Sequence, residues 1–246
     1  MDIGILIFII ILIFLFSTIL RSIFGFGDAV IAMPLLSFFI DLKVATPLFA
    51  LAALTISIII LLFTYRKLQL KQVIRLVIST IIGIPIGIFI LRETDENLIK
   101  PILGLIIILF SLYSLLKPNV IYIKNKLFTY FFGFIAGILG GAYNVNGPPI
   151  VFYASFKKWD PISFRATLQG YFFVTGILLV SSHMIVGNIT YSVIQYYVFI
   201  VPVLLIGIFI GGKIHYKIEV EVFKKYVYLL MFFLGLFLMF TSLSQI

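Results

Sequence analysis

The chain of 246 residues is 63% hydrophobic and only 11% charged, with a mean hydropathy of +1.24 and a net charge of +9. No water-soluble domain of this length can bury so much apolar side chain, which excludes a soluble protein and points to a multi-pass protein of the cell membrane. The absence of cysteine excludes a disulfide framework, a thiolate metal site and a cysteine nucleophile.

In chain order, the first residues lack the basic start and small-residue cleavage pattern of a signal peptide, so residues 3 to 20 read as retained structure. They are long enough to span or to form one arm of a hairpin. Gly25-Phe26-Gly27-Asp28 then breaks the pattern, and 30 to 40 follows as a second arm. A bilayer core of roughly 30 Å takes about 20 apolar helical residues, and the runs 44 to 63, 72 to 91 and 98 to 116 meet that length. Residues 118 to 126 read as a cytoplasmic linker. Beyond it, 127 to 139 and 147 to 157 are each too short to span and are separated by Gly140-Gly141 and Asn144-Val145-Asn146-Gly147-Pro148-Pro149. Spanning runs resume at 164 to 182, 191 to 211 and 222 to 243. The runs are continuously apolar rather than alternating, so the fold class is all-α, not a barrel.

The basic residues choose sides. Four loops (64 to 75, 117 to 126, 157 to 165 and 213 to 225) hold 14 basic and 3 acidic residues, while the remaining connections, with Asp2, hold 3 and 5. The first group is expected in the cytoplasm, which places both termini outside it. This asymmetry accounts for the +9 and leaves no call for nucleic acid.

The second half echoes the first. Gly83 and Gly87 answer Gly207 and Gly211, Ala45-Thr46 answers Ala166-Thr167, and Gly27 to Pro34 answers Gly141 to Pro148. Five segments per half force the second copy into the membrane from the opposite side. The expected architecture is two inverted-topology repeats, 1 to 117 and 127 to 246, each beginning with a broken or re-entrant helical hairpin, an arrangement that recurs in transporters.

Non-helical backbone at membrane depth needs protein or water to satisfy it, so the breaks imply a cavity. A helix starting near Pro148 aims its N-terminal amides at the midplane, a site for an anion. Tyr143, Asn144 and Asn146 can donate to oxyanion oxygens, and Gln169 lies one turn past Arg165 on a face with Gly170 and Phe173. Equally, Asn and Gln can tie helices together. Arg21 and Asp28 are the only charges of the first pair of segments. Asp28 is the candidate proton carrier, or else a helix cap facing water. Arg165 reads first as a topogenic charge and second as an anion ligand. His183 fits a solvated loop, Trp159 with Tyr191, Tyr196 and Tyr197 fits interfacial anchoring, and His183 and His215 are too isolated for a metal site. With no nucleophile and base, paired carboxylates or metal ligands in the spans, an enzyme is disfavoured and no cofactor is expected. A channel and a cation carrier stay as rivals to an anion carrier.

The stretches "FGFGDAVIAMPLL" and "GGAYNVNGPPIVFY" in corresponding places, followed by "FRATLQGYFFVTG", resemble the TauE/SafE family, the sulfite exporter family of membrane permeases. The likeness runs over nearly the whole chain and is most specific over 133 to 176. The first break keeps Gly25, Gly27 and Pro34 but lacks the glycine run common in the family. The resemblance implies export of sulfite or a small organosulfonate such as sulfoacetate. The matched helix breaks themselves make Gly25, Gly27, Pro34, Gly141, Tyr143, Asn144, Asn146, Gly147 and Pro148, with Gln169 and Arg165, the expected surroundings of the substrate. A homodimer is left open.

Overall fold

The computed structural model describes residues 3–116, 127–157 and 161–214, then 228–229, 231–237 and 239–240. The linker at 118–126, Trp159 and His215 lie outside the described residues, as does much of the run 222–243. Every regular element among the described residues is helical: α1 (Ile3–Phe24), α2 (Asp28–Ser37), α3 (Leu42–Thr64, prolonged by a 3-10 turn at Tyr65–Lys67), α4 (Leu70–Glu93), α5 (Glu96–Leu116), α6 (Leu127–Tyr143), α7 (Gly147–Lys157), α8 (Pro161–Ile185) and α9 (Tyr191–Ile214). Five stretches among them, in α1, α3, α4, α8 and α9, are long and apolar enough to cross a membrane. At about 1.5 Å per residue, the 22 residues of α1 reach across a hydrocarbon core, whereas α2 with 10 residues and α7 with 11 cannot.

The helices face lipid with large apolar side chains, among them Phe8, Phe63, Phe89, Leu109 and Phe209, and turn small residues towards one another. Without a hydrophobic drive between helices in lipid, close backbone approach over small side chains is a main source of association. The most extensive contact is α4 on α6. There Gly83 and Gly87 pack against Gly137 and Gly141 so closely that a Cβ on Gly83 would sit 2.9 Å from the Gly137 Cα, and one on Gly87 2.9 Å from the Gly141 Cα. Thr80 Oγ1 crosses the same seam to the Gly133 carbonyl at 2.8 Å. The second most extensive contact is α1 on α9, where Gly207 and Gly211 pack against Thr18 and Ser22, and Ser22 Oγ donates to the Ile208 carbonyl at 2.9 Å. Between these two pairs, α3 lies on α8. Gly104 of α5 and Gly235 meet reciprocally, each with its carbonyl 2.8 Å from where the other's Cβ would be.

Two sequence expectations change here. His183 is not in a solvated loop: it sits in the last turns of α8, fully buried, with Asn188 Nδ2 3.1 Å from its Nδ1. Tyr197 is more than an interfacial anchor, because its hydroxyl lies 2.6 Å from Thr55 Oγ1 of α3.

Candidate functional site

The site is built by two helix breaks. Helix α1 ends with the Gly25 N–H donating to the Arg21 carbonyl at 2.7 Å, and Gly25 takes the left-handed conformation with φ 84°. Helix α6 ends the same way: the Asn144 N–H donates to the Gly140 carbonyl at 2.9 Å, with φ 56° at Asn144. This is the left-handed C-cap, for which glycine and then asparagine are the residues that fit without strain. Three residues later a new helix starts, at Asp28 and at Gly147. The matching positions are therefore Gly25 with Asn144 and Asp28 with Gly147. The pairing of Pro34 with Pro148 fails, since Pro34 lies well inside α2 while Pro148 is the second residue of α7.

Between the breaks is a small cavity of about 20 Å³, lined by Arg21, Asp28, Asn144, Asn146, Gly147 and Phe172 among others, with Gly27 also on its wall. Its polar walls are highly ordered by hydrogen bonds. Arg21, 2% exposed, donates from Nη1 to Asp28 Oδ2 at 2.7 Å. Its Nη2 donates to Ser57 Oγ at 2.6 Å and to Gln169 Oε1 at 3.2 Å. The guanidinium carbon sits 4.8 Å from the centre of the Phe172 ring, a cation–π contact in a desolvated place. Gln169 in turn donates from Nε2 to the Gly25 carbonyl at 2.7 Å, tying α8 to the first break. Asn144 Nδ2 donates to the Thr46 carbonyl at 3.0 Å and Asn146 Nδ2 to Thr175 Oγ1 at 3.3 Å. Both charges suit their helices: Arg21 lies in the last turn of α1, where the dipole is negative, and Asp28 opens α2, where it is positive.

Of the residues expected at a site, Gly27, Asp28, Asn144, Asn146 and Gly147 meet on this cavity, and Gln169 braces it. Others lie elsewhere. Gly141 serves the α4–α6 seam, and Pro34 and Tyr143 are buried in the protein without lining the cavity. Pro148 and Pro149 follow Gly147 and carry no N–H, so the start of α7 offers fewer amides than a helix N-terminus ordinarily does. Arg165 is no loop charge. It lies within α8, donates from Nη2 to the Ser22 carbonyl at 2.5 Å and packs its stem over Gly25. It borders a second, larger cavity of about 850 Å³ between α1, α3, α8 and α9, together with Lys213. On α8 the small cavity is lined by Phe172, Gly176 and Leu179 rather than by Phe173, and Gly170 is pressed against Leu68 and Val73 instead. Sequence reasoning missed Ser57, Phe172 and Thr175; only Arg21, a charge in an apolar run, signalled that polar partners had to be near.

The family described as "Sulfite exporter TauE/SafE" matches residues 9–238. A curated relative, the "Probable sulfite/organosulfonate exporter TauE" of Cupriavidus necator, is 25% identical over 203 residues, 80% of this chain and 79% of the relative. No solved structure matches. With its membrane-length apolar helices and a family match over most of its length, the chain belongs to the TauE/SafE sulfite exporter family, and is a multi-pass membrane transporter rather than an enzyme.

Proposed function

We propose that the protein is a secondary transporter that exports a small anion, sulfite or a small organosulfonate, by alternating access through the cavity between its two helix breaks. The single observation that carries this reading is that two broken helices present their polar ends, including a buried charge pair, to one cavity inside an otherwise apolar bundle. The printed name of the curated relative supplies the substrate class.

The two halves, 1–117 and 127–246, are inverted repeats in this reading, with 118–126 as the cytoplasmic linker and both termini outside. The pattern of contacts supports it. The first arm of each half packs on the fourth helix of the other (α1 on α9, α6 on α4), while third packs on third and Gly104 meets Gly235, as a two-fold axis between the halves requires. The cavity has room for about one water-sized group, so it must open to admit substrate. A closed site of this kind favours a carrier over a channel. Asn144 and Asn146, each with a further amide hydrogen, and the first-turn amides of α2, which no side chain caps, are the neutral donors for anion oxygens. Asp28 is the candidate coupling group.

The test is flux into liposomes holding the purified full-length protein, across sulfite, methanesulfonate, acetate, sodium and rubidium, with and without a pH gradient. Sulfite or methanesulfonate flux is expected; sodium or rubidium flux in its place sinks the reading. Asn146→Ala is expected to lower sulfite affinity about tenfold, the scale of one lost hydrogen bond to a charged group. Unchanged affinity and rate would remove Asn146 from the site. PH-driven flux that survives Asp28→Asn would remove the coupling role.

A further inference from the structure

Resting on the small-anion reading, we propose that Arg21 is the group that binds the transported anion and that Asp28 is a tethered competitor holding its place in this conformation. A guanidinium carries five donors in a planar fork. Here Nη1 holds one oxygen of Asp28, Nη2 is shared by Ser57 and Gln169, and the buried Nε has no acceptor. A buried donor without an acceptor keeps the full penalty of its lost hydration, and this one belongs to a side chain on the cavity wall. Phe172 against its face, with Ser57 and Gln169 on one nitrogen, holds the plane of the fork and leaves its remaining donors for a ligand.

Volume and charge both point to exchange rather than addition. The cavity of about 20 Å³ cannot take a three-oxygen sulfur anion beside the Asp28 carboxylate, but it gains space as that carboxylate leaves. Arg21 and Asp28 are the charges on its wall and cancel. A further anion would leave net negative charge in a desolvated place, whereas an anion that replaces Asp28 on Arg21 keeps the guanidinium paired throughout. The displaced carboxylate has somewhere to go. Asp28 is the first residue of α2, its N-cap is Gly27 at φ 97° with no side chain capping the helix, and the first-turn amides of α2 are alternative donors to its carboxylate. Helix α7, with prolines at its second and third positions, offers no comparable set. The ligand class follows from the fork: oxyanions with two oxygens side by side, such as sulfite, sulfonates and carboxylates, in preference to chloride.

The test uses the purified full-length protein, with sulfite binding measured by titration calorimetry, thermal melting in detergent, and liposome flux. The double variant Arg21→Gln/Asp28→Asn removes both charges while keeping shape. It is expected to melt near the wild type, to lose sulfite affinity by at least about 30-fold, as loss of a charge-assisted fork contact implies, and to carry no sulfite. A double variant that binds and carries sulfite as the wild type does would show the pair to be a scaffold only and overturn the proposal. Arg21→Lys, which keeps a cation against Asp28, decides the matter if the double variant does not fold: affinity at least about tenfold weaker supports the fork, and unchanged affinity overturns it. Asp28→Asn is expected to bind sulfite about tenfold more tightly, roughly 1.4 kcal/mol, with slower flux. Weaker binding by Asp28→Asn overturns the competitor role. A wild type that carries neither sulfite nor methanesulfonate defeats the small-anion reading itself, whereas a wild type and double variant that carry them alike defeat only this inference.

Discussion

In the first half the chain turns at Gly25, with Arg21 one turn before the break and Asp28 just after it; in the second it turns at Asn144, with Gly140 and Gly147 at the same two places. The backbone repeats while the chemistry does not. One break brings an ion pair and the free amides of α2; the other brings two asparagines and a pair of prolines that remove amides. The supports differ as well. The α6 arm meets α4 backbone to backbone over four glycines, whereas the α1 arm meets α9 partly through the Thr18 and Ser22 side chains. The same backbone turn thus carries an ion pair in one place and only neutral side chains in the other, and the two tips rest on different kinds of helix contact.

That contrast can be broken in four places, from the largest expected effect to the smallest. Arg21→Ala leaves Asp28 buried and alone, at a cost of about 3–5 kcal/mol; loss of the folded peak on size exclusion, or a large fall in melting temperature, is the expected result, and Asn146→Ala on the neutral tip should cost about 1 kcal/mol. Next comes Gly87→Ala. Its Cβ collides with the Ile138 carbonyl and the Gly141 backbone, neither of which can rotate away, so about 3 kcal/mol is expected. Gly207→Ala meets the Thr18 side chain and should cost less; equal losses in melting temperature would erase the difference between the two seams. Gly25→Ala forces an L-residue to φ 84° with the Arg165 Cγ 3.1 Å from the new Cβ, a cost of about 1–2 kcal/mol from the backbone alone. Last, Asn144→Gly keeps the left-handed cap and loses one hydrogen bond to Thr46, so stability should change by about 1 kcal/mol or less, while sulfite flux should fall if Asn144 touches the anion.

The spans were legible because bilayer thickness dictates their length, and the runs at 44–63, 72–91 and 191–211 fall inside α3, α4 and α9. The two breaks were legible because glycine, asparagine and proline punctuate an apolar run for steric reasons. Their register was not. Matching Pro34 to Pro148 compares residue types, whereas the fold repeats a dihedral angle, and Gly25 and Asn144 share that angle without sharing a side chain. Ser57 was invisible for a different cause: one serine in an apolar helix looks like any other until Arg21, 36 residues earlier, is seen to reach it. His183 misled because a stretch without formal charge read as an open loop, while the helix carries it inside. Side chains that act across helices leave no local pattern, and the site consists mostly of those.

The crossed pairing of arms has a consequence for how the chain is made. Helix α1 docks on α9, which is synthesised last among the long described helices, so at about 5–20 residues per second it waits roughly ten to forty seconds in the bilayer without its final neighbour. During that wait a lone arginine in lipid would be a heavy burden. The Asp28 carboxylate, seven residues on and in the very next helix, can neutralise it before any other partner has left the ribosome. The same pair that faces the cavity in the finished protein can thus act as its earliest insertion aid, well before there is a cavity to face.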